Sequence, residues 1–123
     1  MAIVTIDARD KTPIYAQLER GLRAAMATSR LKPGDQLPTV RQLAVELRIN
    51  ANTVARVYAD LERTGAIETR RGVGSFVAAT AESARPPREH EKRLRAFVTR
   101  VLSEAGVNGF SVEEVVKGLR EDT

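Results

Sequence analysis

Two helix-start signals eleven residues apart, with almost no room between them, limit the middle of this chain more than any other feature. Thr39 is followed three residues later by Gln42, a capping box that opens a helix. Val40, Leu43, Ala44 and Leu47 then recur at i, i+3, i+4 and i+7, which is one apolar helix face. Asn50 is the next capping residue, and Ile49 before it is placed to staple onto Val54. The first helix therefore ends and the second begins within a tight turn. Val54, Val57 (or Tyr58) and Leu61 form the buried stripe of the second helix. Near its start, Ala51, Asn52, Thr53 and Arg56 point away from that stripe. A short polar set at a helix N-terminus is what a major-groove reader presents to base edges.

The flanks extend this pair on both sides. Pro13 suits a first helical turn. Ile14 (or Tyr15), Leu18, Leu22 and Ala25 form a core-facing stripe to about Arg30, with Tyr15 expected in the core. The run Ile3-Val4-Thr5-Ile6 is β-prone, either packing on the domain or adding an edge. Lys32-Pro33-Gly34-Asp35 is a turn, and Gln36-Leu37 is a brief strand. Downstream, Gly65 is placed to take the left-handed position that stops the second helix. Ile67 to Arg70 and Ser75 to Val77 read as strands of a hairpin around Arg71-Gly72-Val73-Gly74. Ile67 and Phe76 are expected to face the core, with Arg70 and Arg71 near the exposed tip. The two glycines serve the turn, since no helix follows Gly74 to cap a nucleotide phosphate.

After a small, polar, proline-terminated segment (residues 78–87), a second helical pattern begins at Arg88. Leu94, Phe97, Val98, Val101, Leu102 and Ala105 keep helical spacing without a miss, and Gly106 is expected to end the helix. Ser111 and Glu114 form another capping box, with Phe110 available to staple onto Val115. Val112, Val115, Val116 and Leu119 make the last helix amphipathic. The expected architecture is mainly α with a small β-hairpin wing: a winged helix-turn-helix domain over 1–79, a linker over 80–87, and an antiparallel helical hairpin over 88–123. Two helices this short cannot bury both apolar stripes by themselves. An isologous two-fold homodimer is the simplest closed solution.

Charge and composition exclude several classes. Residues 1–80 carry 12 Lys/Arg against 8 Asp/Glu, whereas residues 81–123 carry 8 against 8, so the net charge of +4 lies entirely in the first region. That asymmetry suits a polyanion partner. There is no cysteine, so neither a disulfide framework nor a thiolate metal site exists, and no cofactor is expected. The single histidine, His90, sits in the charged run REHEKR and reads as a solvated surface residue. An enzyme needs paired carboxylates or an activated nucleophile in a cleft. Glu113 and Glu114 diverge around a helix, Glu62 and Glu68 flank a helix end, and no enzyme is expected. No run approaches a membrane span or secretory signal, which points to a cytoplasmic chain without membrane partners. The residues name no small-molecule effector. The competing reading is a winged-helix protein-interaction module that does not bind DNA.

The segments PIYAQLERGLR, LKPGDQLPTVRQLA and INANTVARVYADLERTGAIETRRGVGSFV together resemble the DNA-binding domain of the GntR family of bacterial transcription regulators, across residues 13–77. The short two-helix tail is similar to that of the YtrA-type subfamily, where it serves dimerisation. The resemblance implies a homodimeric repressor of its own operon on double-stranded DNA, often beside genes for ABC transporters. It implies DNA contacts from Arg41, from Asn50, Asn52 and Thr53 opening the recognition helix, and from Arg56 one turn further on. It also implies a wing tip of Arg70, Arg71 and Gly72 in the adjacent minor groove. Many family members carry arginine where this chain has Ala51, which leaves a methyl group for thymine in place of a guanine reader.

Overall fold

A computed structural model describes residues 3–78 and 87–122. The chain falls into two compact units, Met1–Ala81 and Glu82–Thr123. The first holds α1 (Ile14–Ala27), α2 (Val40–Leu47), α3 (Ala51–Arg63), β1 (Ile67–Arg70) and β2 (Gly74–Val77); the second holds α4 (Pro87–Val107) and α5 (Val112–Asp122). No described helix is long and apolar enough to cross a membrane.

In the first unit the core forms where three helical stripes and one hairpin face meet. Leu18, Leu22 and Ala25 of α1, Leu43 and Ala44 of α2, and Val54, Val57, Tyr58 and Leu61 of α3 are all buried. Each fully buried aliphatic side chain contributes about 1.5–3 kcal/mol relative to exposure. The Ile3–Ile6 run forms no strand. Instead Val4 packs against α1, so closely that a Cβ on Gly21 would lie 2.5 Å from its Cγ1. Glycine is required there by proximity to a stiff β-branched neighbour.

Local signals set the element ends. Thr39 Oγ1 accepts from the Gln42 amide at 3.1 Å, and Gln42 Oε1 accepts from the Thr39 amide at 2.9 Å, completing the capping box. Gly65 is left-handed (φ 82°) and ends α3, with the Ala66 amide donating to the Leu61 carbonyl at 2.8 Å. Pro13 takes the N-cap position before α1. That helix stops at Ala27, short of Arg30, because Ser29 turns left-handed (φ 62°) and returns Leu31 to the core.

The hairpin pairs Ile67 with Val77, Glu68 with Phe76, and Arg70 with Gly74. This register puts Ile67 and Val77 on one face and Phe76 on the other, correcting the expectation that Ile67 and Phe76 share the core face. Ile67 and Val77 join the core cluster. Phe76 is buried on the opposite side beneath Arg70, whose guanidinium carbon lies 4.2 Å from the ring centroid. The expected strand at Gln36-Leu37 is a single bridge from Gln36 to Phe76, flanked by bonds from the Leu37 amide to the Ser75 carbonyl (2.8 Å) and from the Val77 amide to the Asp35 carbonyl (2.9 Å).

In the second unit, the linker expected over 80–87 lies outside the described residues except for Pro87, which opens α4. Gly106 does not end α4. The helix runs to Val107 and stops at left-handed Gly109 (φ 79°), with the Phe110 amide donating to the Ala105 carbonyl at 2.8 Å. The left-handed stop lies one residue past the helix cap, and Gly109, two residues after Val107, has that place while Gly106 lies inside the helix. The Ser111–Glu114 capping box is formed in both directions, at 3.0 and 3.1 Å.

Candidate nucleic-acid interface

The turn between α2 and α3 is closed by backbone alone. Arg48 is left-handed (φ 57°), and the Ile49 amide donates to the Ala44 carbonyl at 3.0 Å. Asn50 then caps α3: its Oδ1 accepts from the Asn52 amide at 2.8 Å. That bond occupies the acceptor atom of Asn50 while leaving its amide group outward. Ala51 and Asn52 are exposed on the first turn, and Thr53 is half-buried. The Asn52 side chain has no hydrogen-bond partner among the described residues, so its donor and acceptor are both unspent on an exposed residue. Arg41 is exposed on the first turn of α2.

Tyr58 sets the relation between these two helices. Its hydroxyl donates to the Pro38 carbonyl at 2.7 Å, tying the middle of α3 to the segment entering α2. Burial pushes the phenol up from its usual 10.0 to about 12. The folded state therefore holds this proton more tightly than the unfolded one, and stability falls as pH rises from about 10 toward 12. Tyr58→Phe is expected to cost about 1 kcal/mol near neutral pH, by stranding the Pro38 carbonyl. It should also lose less stability across that alkaline window, which chemical denaturation at pH 8 and pH 11 would show.

The wing is held from behind. The Val73 amide donates to the Arg70 carbonyl at 2.9 Å across the turn, where Gly72 has φ 76°. Gln36 Nε2 donates to the Val73 carbonyl at 3.1 Å. A Cβ on Gly74, at φ 141°, would meet that same nitrogen at 2.6 Å. Thr69 Oγ1 donates to Glu62 Oε2 at 2.9 Å, joining β1 to the end of α3. Arg70, Arg71 and Gly72 are exposed. The two arginines differ: Arg70 is stacked on Phe76, while Arg71 extends from the turn with no stacking partner among the described residues.

Two supporting residues escape a sequence reading. Gln36 carries no motif, and its role depends on a carbonyl distant in the chain. Tyr15, expected in the core, is 40% exposed. It lies beside α3 with the Arg56 guanidinium carbon 4.2 Å from its ring centroid. The buried stripe of α1 starts one turn later, at Leu18, so the first turn of α1 contributes to the surface.

In the tail, Leu94, Phe97, Val98 and Leu102 of α4 and Val112, Val116 and Leu119 of α5 are exposed, with Phe97 at 55%. Val101 and Val115 are half-buried and line, with Ala105 and Phe110, a hollow of about 250 Å³ between the two helices. No residue of α5 is fully buried.

A polar helix tip behind a tight turn, beside an arginine-tipped hairpin, defines a winged helix-turn-helix DNA-binding domain. The sequence pattern described as "Bacterial regulatory proteins, gntR family" matches residues 14–77, and the chain belongs to the GntR family. It is similar to the HTH-type transcriptional repressor YtrA of Bacillus subtilis, 42% identical over 81 residues that cover 66% of this chain and 62% of that protein. It is also similar to the HTH-type transcriptional regulator YhcF of Bacillus subtilis, 35% identical over 116 residues and 90% of each chain, so this likeness includes the tail. Among solved structures, YtrA from Sulfolobus acidocaldarius, a GntR-family transcription factor, matches with a TM-score of 0.60 and 33% identity over 83% of this chain and 99% of that one. The fold and these relatives make it a YtrA-type GntR regulator. The relatives are named as transcriptional regulators, a class distinct from enzymes.

Proposed function

We propose that the chain acts as a homodimeric repressor, binding a pseudo-palindromic duplex and occluding a promoter. The observation that carries this reading is the exposed first turn of α3, where Asn52 has both polar atoms unspent next to a capped, rigid helix start. Asn52 and Thr53 would read base edges, and a bidentate Asn–adenine pair contributes about 1–3 kcal/mol of discrimination. Arg41, Asn50, Ala51 and Arg56 would border that contact, the helix-start amides would set register on phosphates, and Arg70, Arg71 and Gly72 would reach the neighbouring minor groove. The apolar faces of α4 and α5 would pair two protomers, through exposed Leu94, Phe97, Val98 and Leu102 of α4 and Val112, Val116 and Leu119 of α5, with half-buried Val101 and Val115 at their inner edge.

Selection of duplexes from a random library by the full chain tests this. The expected product is a pair of two-fold-related half-sites with centres about 10–10.5 base pairs, or a multiple, apart. A chain that enriches no sequence and retards no random duplex at low salt is instead a protein-interaction module. Half-sites without two-fold symmetry would contradict the dimer arrangement alone.

A further inference from the structure

We propose that Tyr15 is a positioning residue that holds Arg56 for a phosphate of the bound duplex, an inference that rests on the DNA-binding reading above. Tyr15 is 40% exposed and belongs to no core cluster. What it does touch is Arg56, whose guanidinium carbon lies 4.2 Å from the centroid, well inside the range of about 6 Å for cation–π attraction. Arg56 has no carboxylate partner among the described residues, so its charge is left for a ligand. With one face of the guanidinium covered by the ring, its edge carries the N–H donors that remain available.

The placement favours the duplex backbone over the base edges. Arg56 stands four residues after Asn52 and so shares its face of α3. Yet its head lies over a ring carried by α1, the neighbouring helix. A helix about 10–12 Å across nearly fills a major groove of about 12 Å. A group displaced to its flank therefore meets the strand beside the groove. An unsupported arginine loses its rotamer freedom when it binds, whereas one already laid on an aromatic ring has lost much of it beforehand.

The test uses the full chain and a duplex that the wild type itself selects, titrated by fluorescence anisotropy at several salt concentrations. Tyr15→Phe keeps the ring and is expected to bind within about twofold of wild type. Tyr15→Leu should weaken binding by about twofold to fivefold at each half-site, matching an exposed cation–π pair, with the salt slope unchanged. Arg56→Ala should lower that slope by about 0.9 per half-site, and in this background Tyr15→Leu should cause no further loss. Arg56→Lys keeps the charge without the planar stack; it should retain the slope and lose affinity as Tyr15→Leu does. Without DNA, the ring-current shift of the Arg56 Nε–H signal should survive Tyr15→Phe and vanish in Tyr15→Leu. A Tyr15→Leu protein that binds like wild type, or that loses as much when Arg56 is already alanine, overturns the proposal, as does an unchanged slope in Arg56→Ala. A wild type that selects no duplex overturns the DNA-binding reading itself, a result separable from any of these.

Discussion

Aspartate at both Val98 and Leu102 is expected to leave the protein monomeric and to lower its affinity for a two-half-site duplex by about 10²–10⁴-fold. Both residues are already exposed, at 44% and 42%, so much of each side chain meets solvent in the protomer and the charges can stay hydrated there. The cost to α4 itself is a few tenths of a kcal/mol per site in helix propensity, and a similar amount for the like charges placed four residues apart. Across a two-fold interface the same carboxylates would be buried without partners and would face their own copies, which costs several kcal/mol per ion. The affinity then falls because two half-sites are no longer engaged by one tethered pair of readers. Light scattering reports the mass, anisotropy reports the affinity, and the melting of the winged domain serves as the control. A variant that remains dimeric with undiminished binding would remove the tail from the dimer surface.

Asn52→Ala and Arg71→Ala are expected to separate base reading from phosphate binding. Asn52 is exposed and unpartnered on a helix tip held by the Asn50 cap. Its removal should cost about 1–3 kcal/mol per half-site on the preferred duplex and little on a scrambled one. Arg71 stands at the wing turn without the ring that holds Arg70. Its removal should weaken both duplexes alike and reduce the salt slope by about 0.9 per half-site. Titrating both variants on both duplexes between low and physiological salt decides the matter, since identical behaviour of the two would defeat the assignment of roles.

Much of the scaffold behind these predictions is readable in the chain. The capping boxes Thr39–Gln42 and Ser111–Glu114, the Asn50 cap and the left-handed Gly65 are contacts within a few residues, so their signals lie adjacent in sequence. The stripes of Leu18, Leu22 and Ala25 and of Val54, Val57 and Leu61 follow from helical periodicity. The reading fails where a long-range partner competes. Tyr15 resembles a core residue by type, but the buried stripe of α1 begins only at Leu18, and the ring meets Arg56 of α3 at the surface instead. Phe76 resembles a partner of Ile67 by hydrophobicity, but a strand's facing alternates residue by residue, and the register of one turn decides which side it takes. Gly106 and Gly109 are both plausible stops, distinguished by which one follows the last helical residue.

By itself, then, the sequence determined the helices and the hairpin among the described residues, the helix tip and its caps, because each is signalled by residues within one helical turn, one strand alternation or one tight turn of each other. Only the tertiary structure decided that Arg56 lies on Tyr15, that Gln36 braces the wing at Val73, and that Val4 requires glycine at position 21. Those contacts join segments brought together by burial of the common core, and no local pattern of residue types encodes which exposed side chains such packing will make neighbours.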